Sequence, residues 1–237
     1  MKKIVLLLLF LTVTLFGSIG KVTGMMGDAN IERNSKKLKI VDGIGVEKND
    51  ILNTSKNAKV QITFNDNSIV AIGKNSTLHV EDYLFDTKTP TNSKTSFKFS
   101  KGTFKTITGK IGKFAPKRFK LATKNATIGI RGSIGVGSQT FFACTQGGYN
   151  VSAQGVTRGV NAGMGVETLP GKPPSVPKPF TPSQIDALTN GTNMTTTPQQ
   201  DAASAGDSSS KKSEEKTEEK SEEKTEEKSE EKTEEKY

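Results

Sequence analysis

Acid–base, nucleophilic and metal chemistry each need particular side chains, and this sequence is sparing with them. Its 237 residues include one histidine, His79, and one cysteine, Cys144. His79 stands in Thr77-Leu78-His79-Val80, where alternation sets it opposite two apolar residues and therefore toward solvent. A general base needs a nucleophile or an orienting carboxylate within hydrogen-bond reach, and no pattern around His79 supplies one. Cys144 lies in Phe141-Phe142-Ala143-Cys144-Thr145, so it reads as a small buried hydrophobe. A catalytic thiol would need a histidine partner, and a lone cysteine makes no internal disulfide. The glycines of residues 129–137 superficially resemble a phosphate loop. Such a loop must open onto a helix N-terminus, whereas apolar residues keep alternating through these glycines as they would at bends between strands. Asn65-Asp66-Asn67 lacks the later Gly and Glu of a calcium loop and reads as a hairpin turn. No paired Cys or His spacing suggests zinc. The expectation is a non-enzymatic chain with no cofactor and no metal.

Charge is the more informative signal. Between Phe97 and Asn125 lie Lys98, Lys101, Lys105, Lys110, Lys113, Lys117, Arg118, Lys120 and Lys124, without one acidic residue. Phe97, Phe99, Phe104, Phe114 and Phe119 are interleaved with them. The plainest reading is a solvated outer sheet face whose lysines discourage edge pairing. The functional reading is a face for an anionic partner: an envelope polymer, a lipid surface or the chain's own acidic tail. Nucleic acid is the less suited partner, because alternation sends several of these phenylalanines into a core and the N-terminus reads as an export signal.

Short strands must position these residues. Ala58-Lys59-Val60-Gln61-Ile62-Thr63-Phe64 alternates strictly, Asn65-Asp66-Asn67 turns, and Ser68-Ile69-Val70-Ala71-Ile72 returns. Similar alternation recurs to about Leu169, punctuated by glycine. The expected fold class is all-β: many short strands in a sandwich or a short solenoid-like roll, followed by a disordered tail. Met1-Lys2-Lys3, an apolar run over residues 4–16 and small Ser18 and Gly20 give the layout of a signal peptide, residues 1–20. Cleavage would leave a chain starting near Lys21, with no transmembrane helix, in the periplasm or on the surface of a bacterium. The all-β domain is expected over residues 21–169. A Pro-rich linker follows over residues 170–190, with one short helix capped by Thr181 and opened by Pro182. Residues 191–237 read as a disordered low-complexity tail that includes six [Ser/Thr]-Glu-Glu-Lys repeats.

Several stretches also carry a resemblance. Asp50-Ile51-Leu52-Asn53-Thr54 is similar to a "GD-x-I-x-T" segment, with Asn49 in place of the glycine. Residues 60–68 resemble an "a-x-l-x-f-x-DGS" hairpin, with Asn67 in place of glycine. Gly102-Thr103-Phe104 resembles a central "G-x-[FV]" strand. Leu121-Ala122-Thr123 and Ala126-Thr127-Ile128-Gly129-Ile130-Arg131-Gly132-Ser133 resemble "l-x-TP…A-x-[IV]-x-[IV]-RGT", with Lys124 for Pro and Ser133 for Thr. These are motifs of the FecR domain, and the resemblance covers about residues 40–169. It implies an all-β extracytoplasmic module of the cell envelope that works through protein contacts, in signalling or assembly. It implies a structural role for Asp50, Thr54, Asp66, Arg131, Gly132 and Ser133. The best-known members regulate iron uptake and join this domain, through a membrane helix, to a cytoplasmic anti-sigma segment. This sequence shows neither part, so it is not expected to pass a signal across a membrane by itself. The partner is read as an envelope protein or, alternatively, an anionic cell-wall polymer held by the lysine-rich face of a structural protein.

Overall fold

The computed structural model describes residues 17–130, 132–190 and 192–193. The N-terminal apolar run, Arg131 and the charged repeats lie outside the described residues. The chain opens with β1 (Gly20–Met26), β2 (Ala29–Arg33), β3 (Lys36–Lys39), β4 (Gly45–Val46), β5 (Ile51–Thr54) and β6 (Lys59–Phe64). There follow β7 (Ile69–Ile72), β8 (Thr77–Leu84), β9 (Lys94–Lys101), β10 (Phe104–Ile107), helix α1 (Lys110–Phe114), β11 (Phe119–Ala122) and β12 (Thr127–Ile130). The remainder is β13 (Ile134–Gly137), β14 (Phe141–Gln146), β15 (Gly148–Ala153), β16 (Val156–Asn161), β17 (Met164–Glu167), β18 (Lys178–Pro179) and helix α2 (Pro182–Thr189).

Two nine-stranded sheets result. The first has the order β18-β17-β14-β13-β10-β7-β6-β1-β4 and the second β16-β15-β12-β11-β9-β8-β5-β2-β3. The sheets share one core, as in a sandwich, and the chain advances along both together, as in a roll. At one end, β1–β2, β5–β6, β7–β8 and β9–β10 all carry the chain from one sheet to the other. The opposite end holds the β6–β7 hairpin and the β10–β11 connection with α1 and a 3₁₀ turn, Pro116–Arg118.

Alternation dictates the packing. In β6, Val60, Ile62 and Phe64 are buried while Lys59, Gln61 and Thr63 are half-buried. Asn49 and Asn67, which stand where the family motifs have glycine, have φ of 70° and 65°. Asparagine tolerates that left-handed region, which explains why both turns survive the exchange. Aromatic rings bridge the two sheets: Phe64 meets Phe97 at 4.7 Å between centroids, Phe99 stacks on Phe104 at 4.0 Å, and Phe142 meets Tyr149 at 4.7 Å. Gly135 and Gly137 of β13 are not bends, as the sequence suggests, but inward-facing strand positions that leave room for these rings. Val136 between them faces outward beneath α2.

The Pro-rich segment departs from its expectation as an extended linker. β18 pairs with β17, and Phe180, Ile185 and Leu188 pack on Val136, Ala143 and Phe141 of the first sheet. An apolar outer patch on β13 and β14 gives this segment something to bury against. Helix α2 begins as expected: the Thr181 hydroxyl accepts from the Gln184 amide, and the Gln184 side chain accepts from the Thr181 amide. At the N-terminus, the expected boundary at residue 20 falls inside the sheet. Gly20 is buried opposite both Phe64 and Val46, and the Ile19 amide donates to the Val46 carbonyl at 2.9 Å.

Glycine substitutions test the ring packing. A β-carbon at Gly137 would stand 2.7 Å from Phe104 and 2.9 Å from Phe142, whereas at Gly129 its nearest neighbour lies at 3.9 Å. Gly137→Ala is expected to destabilise by about 1–3 kcal/mol. Gly129→Ala should change stability by less than about 1 kcal/mol. Urea denaturation of both variants checks this, and equal effects would show that the rings have room to move.

Candidate functional site

Asp50 is fully buried at the β4–β5 connection. It is held by Arg33, the last residue of β2, which donates from Nε to Oδ1 at 2.8 Å and from Nη2 to Oδ2 at 2.7 Å. The same guanidinium donates to Glu47 Oε1 at 2.5 Å and to the Gly45 carbonyl at 2.7 Å, and the Glu47 amide donates to Asp50 Oδ2 at 2.7 Å. The hydrogen bonds to Asp50 hold the Arg33 guanidinium above its ordinary pKa. This fork ties β2, β4 and β5 together, using all the donors that a planar guanidinium can aim at a carboxylate.

Asp66 is equally buried, in the β6–β7 turn. Its Oδ2 accepts from the Ser68 hydroxyl at 2.7 Å and the Ile111 amide at 3.1 Å; its Oδ1 accepts from the Ser68 amide at 3.2 Å and the Tyr83 hydroxyl at 3.1 Å. The Asp66 carbonyl takes the Lys110 amide at 2.7 Å, so both ends of the residue bind the start of α1. Gly109 must be glycine here, since a β-carbon would lie 2.2 Å from the Asp66 carbonyl oxygen. Burial, and then the Asp66 charge, push the Tyr83 hydroxyl far above its ordinary pKa of 10.0.

Thr54 and Ser133 are also internal staples. The Thr54 hydroxyl donates to the Gly73 carbonyl at 2.6 Å and accepts from the Ser76 amide at 2.8 Å, joining β5 to the β7–β8 turn. The Ser133 hydroxyl donates to the Gly148 carbonyl at 2.5 Å and accepts the Gly148 amide at 2.9 Å. Gly132 has φ of 71°. Arg131 lies outside the described residues. His79 is half-buried on the outer row of the second sheet, between Ile51 and Lys98. Cys144 is fully buried, and burial pushes its thiol pKa up, away from the reactive thiolate.

The nine basic residues singled out by the sequence do not share one face. Lys98 and Lys120 are exposed on β9 and β11 of the second sheet, with Glu81 3.9 Å from Lys98. Lys105 is on the first sheet and donates to the Asn193 side chain at 3.3 Å. Lys110, Lys113, Lys117 and Arg118 belong to α1 and the 3₁₀ turn at one end, while Lys101, the last residue of β9, and Lys124, in the β11–β12 connection, are at the other. The chain crosses between sheets twice within this stretch, so nearness in sequence does not become nearness in space. Of the interleaved phenylalanines, Phe97, Phe99, Phe104 and Phe119 are core residues, and only Phe114 is exposed. The convergence the sequence missed is at the crossing end, where Lys56, Lys59 and Lys74 join Lys101 around an open cleft. Forty-five positions separate the first from the last, so no local pattern could reveal it.

Arg33→Ala is expected to destabilise by about 2–4 kcal/mol, somewhat under the range for a fully buried pair because Arg33 is one-fifth exposed. Lys98→Ala, which removes only an exposed contact, should stay within about 0.5 kcal/mol. Tyr83 gives a pH signature. Its folded pKa is raised, so its contribution is complete below 10.0 and declines as pH rises above that value. Between about pH 9 and about pH 11, Tyr83→Phe should therefore lose less stability than the parent, as read by urea denaturation.

No curated protein matches the chain. Two crystal structures of a protein provisionally described as an anti-sigma factor, from Parabacteroides distasonis ATCC 8503, align at 12% identity with TM-scores of 0.48 and 0.47. Each alignment covers 60% of this chain, and 64% or 65% of the crystallised chain, which is less than two-thirds of its length. A family model described as FecR protein matches residues 50–148, a narrower span than the motif resemblance suggests. That span begins at the buried Asp50 and ends at Gly148, the partner of Ser133, and over it the chain matches the FecR family.

Proposed function

We propose that this chain is an exported, non-catalytic module of the cell envelope that acts by binding, as a FecR-type interaction domain in signalling or assembly. One observation carries the reading. The acidic motif residues within the FecR span, Asp50 and Asp66, are fully buried and engaged by donors of the fold, so the motif builds a scaffold and not a reaction centre. What the scaffold offers outward is strand surface and cationic loops. A protein partner in the envelope is the first reading. A polymer partner is favoured by the converging lysines at the crossing end. No helix among the described residues is long and apolar enough to cross a membrane.

Export is supported by the basic start, the apolar run and the small residues that follow it. On this reading, the contacts before Lys21 bear on where cleavage would fall. Cleavage after Gly20 would remove the Ile19 amide from Val46, the Ile19 carbonyl from the Asn65 amide and the Ser18 carbonyl from the Asn65 side chain. A chain starting at Lys21 is expected to melt below one starting at Ser18. N-terminal mass spectrometry of protein from the envelope fraction should find a start between Ser18 and Lys21, and an intact Met1 would refute export by cleavage. For the binding reading, the full mature chain is used as bait in envelope extracts. A defined stoichiometric protein supports the first reading, retention on purified wall polymer supports the second, and retention of neither would overturn both.

A further inference from the structure

The cleft at the crossing end has a composition that selects a ligand. Lys56 lies in the β5–β6 turn, Lys59 opens β6, Lys74 lies in the β7–β8 turn and Lys101 closes β9. They surround a volume of about 560 Å³. Among the described residues no acidic side chain lines it; Asp28 and Asp186, close in sequence to Met26 and Ala187 of its wall, stay outside it. None of the four lysines forms an ion pair among the described residues. Lys59 instead donates to the Asn190 carbonyl at 2.6 Å, which fixes the end of α2 beside the cleft.

The loops carrying these lysines are preorganised. The Thr103 amide donates to the Ser76 hydroxyl at 3.1 Å, the Thr54 hydroxyl accepts from the Ser76 amide, and the Asn75 amide donates to the Ser55 carbonyl at 3.0 Å. Gly102 has φ of 82° and comes so close to Ser76 that a β-carbon would lie 2.0 Å from the hydroxyl oxygen. A site held this rigidly gives up little conformational entropy on binding.

Four ammonium groups spread around an open cleft suit several anionic groups on one chain better than a single small anion. Asn57, Asn75 and Asn190 line the same cleft, and a carboxamide both donates and accepts, as sugar hydroxyls require. Among the described residues no aromatic side chain lines it, so bases find no stacking platform there. We propose that this cleft binds an anionic polysaccharide, its lysines meeting the charged substituents and its asparagines the hydroxyls. The proposal deepens the polymer-binding reading above and rests on it.

The test measures binding of the full mature chain to four labelled probes across a salt series: oligogalacturonate, phosphorylated dextran, neutral dextran and inorganic polyphosphate. Binding to oligogalacturonate or phosphorylated dextran is expected, and the stronger of the two names the charged substituent. Neutral dextran should not bind, and affinity should fall with salt as exposed charges are screened. Lys56→Ala, Lys74→Ala and Lys101→Ala combined should weaken binding by about tenfold or more, since each lost ammonium contact contributes a few-fold. Lys113→Ala, Lys117→Ala and Arg118→Ala combined remove the same charge at the opposite end and should change affinity by less than about twofold. Asn57→Ala should weaken the glycans and leave polyphosphate unchanged. Equal losses in the two triple variants would reduce the effect to the general field of a basic protein and overturn the site. Tightest binding to polyphosphate, unaffected by Asn57→Ala, would overturn the sugar specificity. Thermal melts confirm that the variants fold. Because purified protein is used, failure here leaves export and a protein partner standing, while an unprocessed N-terminus would leave glycan binding intact.

Discussion

The carboxylate of Asp66 holds one end of this sandwich closed. Removed from water, it needs donors from within the chain, and it takes them from three separate elements: its own turn, β8 through Tyr83, and the first turn of α1. A carboxylate buried without such partners would cost several kcal/mol, so the hairpin, the tyrosine and the helix must assemble together or not at all. Asp50 does the same for β2, β4 and β5 through the Arg33 fork. Both polar knots lie at the same end of the molecule, opposite the β1–β2, β5–β6, β7–β8 and β9–β10 loops.

Between the ends, the apolar core keeps the sheets together and aromatic rings fix their spacing. The largest buried side chains include seven phenylalanines or tyrosines with less than 2% exposure, enough to span the gap between the sheets where smaller residues would leave voids. Glycines on β13 complete this arrangement by removing bulk where the rings of Phe104, Phe142 and Tyr149 approach. Gly135 and Gly137, though not Gly129, are thus a packing requirement of the aromatic core.

The winding of the chain decides how its positive charge is displayed. Since successive segments alternate between sheets and ends, a lysine-rich stretch of sequence is dispersed over the whole surface, and lysines far apart in sequence are gathered where the crossings meet. Screening limits each exposed charge to a reach of about 8–10 Å in physiological salt, so a lysine acts together with those near it in space and not with those near it in sequence alone. The scaffold's polar interior and its cationic loops therefore have separate duties, one holding the fold and the other facing outward.

The all-β class, the β6–β7 hairpin and the Thr181 cap of α2 were all legible in the sequence, because each depends on neighbours a few positions away. Period-two alternation assigns faces locally, and asparagine at a turn announces a left-handed backbone. Three features were not legible. The partner of Asp50 is Arg33, 17 positions earlier, and β2 carries no signal of that pairing. The Pro-rich segment reads as a free linker until β13 and β14 present an apolar outer face to cover. The four lysines of the cleft become one group only after the β5–β6, β7–β8 and β9–β10 connections have crossed between the sheets at the same end. Local sequence determines which way a side chain points within its strand; which side chains meet is set by the order of strands in the two sheets, a property of the whole chain, because contacts between distant segments form only when the core they share has closed.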